Sequence, residues 1–342
     1  MDIAEVAKRC QACVGNRPVI VLGSGASMAH GVRGMGDLAT HLRANIAPIA
    51  EEEIEAWTLV RTALHAGEDL EAALEQHKVP DNLLKKVVEE TWKFVATDDR
   101  GILDEIIEKE LLLPLSTLFR GLFASTAKKI HVVTTNYDRL AEYAANSAGF
   151  IDDTGFKPGY YRADFQPNQF SYKAGNQVIG SVAIWKVHGS LDWFLNRRDQ
   201  FFSLPSIHEV PSGFLPLIVT PGVSKYQKTH KDPFRSTIQG ADSALDRAEA
   251  YVCVGYGFRD EHIHPKLQAR CRDKNTPIIV AARTLTSEAK LFLKECGGRN
   301  YIGLEDHPGG TKVYTPEEED GSVIYDQKIW ELKKLNDLVG FK

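Results

Sequence analysis

Four short motifs hold the residue types best suited to bind an anion or move a proton. Gly23-Ser24-Gly25-Ala26-Ser27 pairs two glycines with small polar residues, so that a diphosphate can approach the backbone and be met by N–H groups of the following turn. A tight structural turn accounts for the same residues. Thr135-Asn136-Tyr137-Asp138 places an amide and a carboxylate two apart, where both can reach ribose hydroxyls. Either is equally suited to cap a helix beginning near Arg139. His188-Gly189-Ser190 sets an imidazole beside a glycine. Its near-neutral titration suits a general base, although a histidine at a strand end also serves as a satisfied structural residue. Gly255-Tyr256-Gly257 again permits close backbone approach, and Asp260 is placed to cap a helix starting near Glu261. With the first motif, this one is suited to hold the two halves of a dinucleotide.

The elements that must position these groups are short and apolar. Val19 to Leu22, Ile130 to Val133, Ser181 to Val187 and Ala250 to Val254 read as buried strands, and each runs directly into one of the four motifs. Leu215 to Val219, followed by Pro221-Gly222, and Pro277 to Ala281 read as two more. In open α/β sheets ligands sit at the carboxyl ends of the strands, which is where all four motifs fall. Between the first and second strands the pattern is helical, with helices expected over Glu51–Ala66, Glu68–His77, Asn82–Ala96 and Leu103–Ala124. Strands alternating with helices predict an α/β, Rossmann-like fold with a mostly parallel, doubly wound sheet and a helical insertion after the first strand. The expected organisation is a core of residues 1–36 and 127–284, an insertion at 37–126, and a C-terminal extension at 285–342. His307 to Gly321 reads as a loop or hairpin, and Asp326 to Leu338 as a closing helix.

Departures from common patterns narrow the chemistry. Met28 stands where the dinucleotide fingerprint G-x-G-x-x-G has its third glycine, and no acidic residue follows about 20 positions on after a second strand. An ordinary dehydrogenase is therefore disfavoured. A formal net charge of -5 over 342 residues offers no basic excess for non-specific nucleic-acid binding. No run approaches the about 18 apolar residues of a membrane span, and the N-terminus has no signal-like stretch, so a cytoplasmic protein is expected. The five cysteines are scattered. Cys10 and Cys13 form a lone C-x-x-C on an amphipathic helix, which cannot complete a four-ligand zinc site, and no metal is expected.

The ordered motifs GSGAS (Gly23–Ser27), TTNYD (Thr134–Asp138), KVHGS (Lys186–Ser190) and GYGF (Gly255–Phe258) resemble the sirtuin-like domains of bacterial antiphage defence proteins. The resemblance runs from about Pro18 to Arg283. Asp69-Leu70-Glu71 and the stretch from Asp260 to Ile263 resemble further features of that group. The resemblance implies that NAD is the substrate, with Gly23, Ser24, Gly25, Ala26 and Ser27 cradling its pyrophosphate. Asn136 would position an attacking water beside the nicotinamide ribose, with Thr135 beside it. Asp138 would contact ribose or nicotinamide, and His188, next to Gly189, would be the base acting through a ribose hydroxyl. Gly255 and Gly257 would line the adenosine side.

Sirtuin deacylases resemble one another in a zinc module of two C-x-x-C pairs after the catalytic histidine. Here no cysteine lies between His188 and Ala250, and Cys253, Cys271 and Cys296 are singly placed. The expected activity is therefore hydrolysis of NAD to nicotinamide and ADP-ribose by an abortive-infection effector. The alternatives are a deacylase or ADP-ribosyltransferase, or a non-catalytic NAD or ADP-ribose sensor. The same resemblance implies control through a homo-oligomer or a HerA-type hexameric ATPase partner. Ile329, Trp330, Leu332, Leu335 and Leu338 recur at helical spacing, which serves either an oligomer contact or packing on the chain's own sheet.

Overall fold

The computed structural model describes residues 2–125, 127–167, 169–205, 207–220 and 231–342. Pro221 and Gly222 lie outside the described residues, as does Thr126 at the end of the expected insertion. A nine-stranded sheet is assembled in the order β14 (Glu318–Tyr325), β13 (Gly310–Thr315), β12 (Tyr301–His307), β11 (Ile278–Ala282), β10 (Tyr251–Val254), β1 (Val19–Leu22), β2 (Lys129–Thr134), β6 (Ser181–Lys186) and β3 (Ile151–Asp153), with a separate pair of short strands at β4 (Lys173–Ala174) and β5 (Gln177–Val178). Its middle is β6 (Ser181–Lys186), β2 (Lys129–Thr134), β1 (Val19–Leu22), β10 (Tyr251–Val254), β11 (Ile278–Ala282) and β12 (Tyr301–His307), all parallel. β3 (Ile151–Asp153) extends one edge in parallel with β6. This is the doubly wound order: successive strands are added to one side of β1 and then, from β10 on, to the other, so the switch point lies between β1 and β10.

The strands are apolar on both faces because both faces are covered. Ile20, Leu22, Val132, Ile184, Val252 and Val254 join one core with α1 (Ile3–Gly15) and the helices that follow β1. Val19, Val21, Val133, Ala183, Trp185, Tyr251 and Cys253 alternate with them and join a second core. Three later helices close that opposite face, spanning Phe234–Arg247, His264–Lys274 and Ser287–Cys296.

Several elements differ from the sequence reading. The helices expected over Asn82–Ala96 and from Leu103 are a single helix, Asp81–Glu108, followed by Pro114–Phe123. Gly101 costs a helix interior only about 1 kcal/mol, and tertiary contacts at buried Asp99 and Ile102 hold the continuation. The strand at Leu215 is β9 (Leu215–Ile218), and it lies outside the central sheet. It pairs antiparallel with β7 (Gly189–Leu195), which also pairs β8 (Phe201–Ser203) in a separate three-stranded sheet. Of the two readings of His307–Gly321 the structure has the hairpin, β13 (Gly310–Thr315) and β14 (Glu318–Tyr325), an antiparallel pair continuing the central sheet from β12, a strand the sequence reading did not give. The glycines and acidic residues of the stretch left the two readings open. The closing helix is shorter, Leu332–Val339, and buries Leu335 and Val339, with Ile329 buried just ahead of it.

Candidate active site

The carboxyl ends of β1 and β10 meet at the switch point, and their two glycine motifs are packed on each other. Gly23 N–H donates to Val254 O at 3.1 Å and Gly25 N–H to Gly255 O at 3.1 Å. A Cβ on Gly23 would stand 2.4 Å from Gly255 O, and one on Gly255 would stand 2.2 Å from Ala26 N. Gly255 also holds φ +58, the left-handed region that favours glycine. The glycines thus permit loop-on-loop contact before any ligand is considered. Ser24–Met28 forms one short helical turn, in which Ala26 N–H donates to Gly23 O at 3.0 Å. With Gly25 and Ala26 N–H donated within the loops, an anion arriving here meets a turn already partly satisfied. Gly257 lies in a roomier stretch, with Thr286 Oγ1 donating to its carbonyl at 2.8 Å.

The next strand end is tied to this turn by side chains. Asn136 Nδ2 donates to Gly23 O at 2.9 Å and to Ser27 Oγ at 2.8 Å. Ser27 Oγ in turn donates to Asp138 Oδ2 at 2.7 Å, and Asp138 Oδ1 accepts from Leu140 N at 3.2 Å. Asp138 therefore begins the helix Leu140–Ser147 and braces Ser27 at once, with both oxygens engaged in a buried position. Burial raises its pKa, against the pull of Lys186 and the Ser27 hydroxyl. Thr135 is half-buried between these bonded neighbours. His30, just beyond the Ser24–Met28 turn, was not singled out in the sequence. Burial lowers its pKa, with the Asp138 charge acting the other way.

Behind this strand end lies a cluster of buried charges. Fully buried Lys186 donates to the carbonyls of Tyr137 and Asp138 and stands 3.2 Å from Glu142 Oε1. Arg139 is gripped by Asp99, at 2.6 Å through Nη2, and approaches Asp192 at 3.4 Å. Burial pushes Glu142 up to about 7 despite the neighbouring ammonium. Spaced along four elements, these groups gave no joint signal in the sequence, where only Lys186 was quoted, as the first residue of KVHGS.

His188 sits between β6 and β7, where the chain leaves the central sheet for the small one. Gly189 makes the turn with φ +91, and a Cβ there would meet Leu217 O at 2.1 Å. Val219 N–H donates to His188 O at 2.8 Å, fixing the backbone beside the ring. The imidazole Nε2 lies 2.8 Å from Asp260 Oδ2, close enough for an ion pair but outside the angular range of a well-formed hydrogen bond. Asp260 Oδ1 accepts from His262 N at 2.9 Å and Ile263 N at 3.0 Å, closing the turn ahead of a helix that begins at His264 rather than near Glu261 and has no side-chain cap of its own. Burial alone would raise the Asp260 pKa. The imidazole and the two amides outweigh it and hold the carboxyl well below the usual range. The contact with His188 is what the sequence reading missed. Nearby, the Tyr256 hydroxyl is buried without a hydrogen-bond partner among the described residues, and burial followed by the Asp260 charge raises its pKa.

Neither of the other polar resources of the chain joins this site. All five cysteines are free and buried, Cys253 within β10 itself. Among the described residues no group of three or more His, Cys, Asp or Glu side chains is placed to hold a metal ion. A cavity of about 310 Å³ opens at the other end of the sheet, beside Val19, Lys129 and Phe341, away from all four motifs. No helix among the described residues is long and apolar enough to cross a membrane.

The model of the SIR2-like domain family matches residues 130–297, a span that holds Asn136, Asp138, His188, Gly255 and Asp260. No curated protein matches the sequence. Among solved structures, similarity is found to a Sir2 homologue in complex with NAD, at 15% identity and TM-score 0.44 over 84% of this chain and 85% of that one. A structure described as the basis for the mechanism and regulation of Sir2 enzymes matches at 14% identity and TM-score 0.44, covering 83% and 87%. Sir2Tm bound to a propionylated peptide matches at 13% identity and TM-score 0.40, covering 84% and 89%.

Proposed function

We propose that this SIR2-like chain hydrolyses NAD to nicotinamide and ADP-ribose. The observation that carries the reading is the convergence of Asn136 and His188 on the switch-point edge. Asn136 is bonded to the Gly23–Ser27 turn, and His188 is set against Asp260 of the loop after β10. In this reading the bond between ribose C1′ and the nicotinamide nitrogen breaks, and its electron pair leaves with the ring. His188 receives a proton through a ribose hydroxyl, and water supplies the oxygen that joins C1′. Both side-chain N–H groups of Asn136 are engaged, which leaves its side-chain oxygen to orient that water. Asp138, with both oxygens bonded, acts by holding Ser27 and Asn136 rather than by touching ribose.

Water rather than acyl-lysine is favoured as acceptor because the segment from His188 to Ala250 carries no cysteine pair for a peptide-binding zinc module. Service as an antiphage abortive-infection effector, in a homo-oligomer or with a HerA-type ATPase, rests on the motif resemblance. The direct test is purified chain with NAD, followed by chromatography. Nicotinamide and ADP-ribose released in equal amounts support the reading. Release that requires an acetyl-lysine peptide favours the transferase alternative, and saturable NAD binding without turnover favours a sensor.

A further inference from the structure

The strands that lead to His188 and Asp260 are not neighbours. β6 and β10 are separated by β2 and β1 in the sheet, three spacings or about 14 Å apart. Their loops nevertheless arch over the strand ends until Nε2 and Oδ2 are 2.8 Å apart. Closing the turn ahead of the helix His264–Lys274 does not require this reach, since Oδ1 alone accepts from His262 N and Ile263 N. The second oxygen is thereby presented in a fixed direction, 6% exposed, to an imidazole that is 15% exposed.

We propose that Asp260 is a positioning residue that sets the tautomer of His188, a deepening that rests on the NAD-hydrolysis reading above. A carboxylate beside Nε2 can accept a hydrogen bond from an N–H at that nitrogen and cannot donate one to it. It therefore favours the Nε2–H form of the neutral ring, and the lone pair falls on Nδ1. Nδ1 is the nitrogen that takes the proton passed on through the ribose hydroxyl. On protonation both nitrogens carry hydrogen, and the Asp260 carboxylate stabilises the imidazolium without itself becoming protonated. Rotation of the ring, which would turn the basic nitrogen away from the crevice, is opposed by the same contact.

Asp260→Asn separates this role from closure of the turn. The asparagine oxygen still accepts from His262 N and Ile263 N, while its NH₂ group faces Nε2 and donates to it. The tautomer is then inverted, and Nδ1 becomes N–H. The experiment compares the full-length wild-type and Asp260→Asn proteins by NAD turnover, thermal melting and ¹⁵N NMR of the histidine rings, with His188→Gln identifying the His188 signal. The expected result is an Nε2–H ring in wild type and an Nδ1–H ring in the variant. The variant should melt within a few degrees of wild type, keep its KM for NAD within about twofold, and lose kcat by about 10²-fold or more. A variant with near-normal kcat, or one whose His188 tautomer matches wild type, overturns the proposal. If wild type does not cleave NAD, the hydrolysis reading fails by itself, and the ring spectra still decide what Asp260 does. A wild-type Nδ1–H ring would then reject the assignment.

Discussion

In the proposed reaction His188 is the base and Asn136 orients the water, and their variants should differ accordingly. Loss of a general base removes a transition-state contribution, so His188→Ala should lower kcat by at least about 10²-fold with the fold retained. Near-normal turnover in that variant would end the catalytic assignment. Asn136 bonds Gly23 O and Ser27 Oγ, which leaves its side-chain oxygen for water in the proposed reaction. Asn136→Ala should therefore depress kcat at least about tenfold while KM changes less. Calorimetry showing NAD binding lost in parallel with activity would move Asn136 to recognition. Glu142 offers a test that needs no substrate. Its carboxyl is pushed up to about 7 by burial, against an ordinary value of 4.5. Between those values the folded protein binds more protons than the unfolded chain, so this group makes stability fall as pH rises through the window. The slope is at most about 1.4 kcal/mol per pH unit. Denaturant titrations from pH 5 to 7 should show wild type losing stability relative to Glu142→Gln as pH rises, and parallel curves would contradict the raised carboxyl.

Among the elements, the turns at the strand ends are the most constrained. Gly189 combines φ +91 with a backbone oxygen 2.1 Å from where a Cβ would stand. Gly189→Ala should cost at least about 2 kcal/mol, measured by urea unfolding. A substitution that leaves stability unchanged would mean that the β6–β7 turn is freer than its geometry implies. The C-terminal helix Leu332–Val339 has a similar lesson. Its periodic apolar residues served two readings, and the structure turns Leu335 and Val339 into the main core, where Asn336 Nδ2 also donates to Pro114 O at 2.8 Å. Leu335→Ala should accordingly destabilise the fold by about 2–4 kcal/mol. It is a probe of folding, and an effect on assembly alone, with no loss of stability, would contradict the inward packing.

For the whole molecule, the doubly wound sheet brings segments far apart in sequence to one edge. The Gly23–Ser27 turn, Asn136, His188 and Asp260 leave four different strands. The large helical region between β1 and β2 sits on one face through the same core as α1. If the proposed effector is controlled by assembly, light scattering should give a mass above the 38.0 kDa of one chain, and dilution to the monomer should change NAD turnover. A monomer with full activity that no partner alters would remove assembly from the proposal.

The strands, their endings and the motif order were legible because burial imposes a local rule. A parallel strand covered on both faces must be a short apolar run, and its carboxyl end must turn, so Val19–Leu22 before Gly23 and Tyr251–Val254 before Gly255 announce themselves. The sequence also singled out Asn136 and His188 as groups whose chemistry suits the proposed reaction. Only the tertiary structure decided what those groups touch. Asp138 spends both oxygens on Ser27 and Leu140, the glycines at 23 and 255 spend their missing side chains on each other, and Asp260 meets His188 across three strand spacings. Contacts of that kind depend on strand order and loop reach, and neither leaves a period or a spacing in the chain. The choice between loop and hairpin after His307 stayed open for a related reason. An edge hairpin is held by its ladder to β12, and the acidic, glycine-bearing sequence that suits an exposed edge has the composition of a loop.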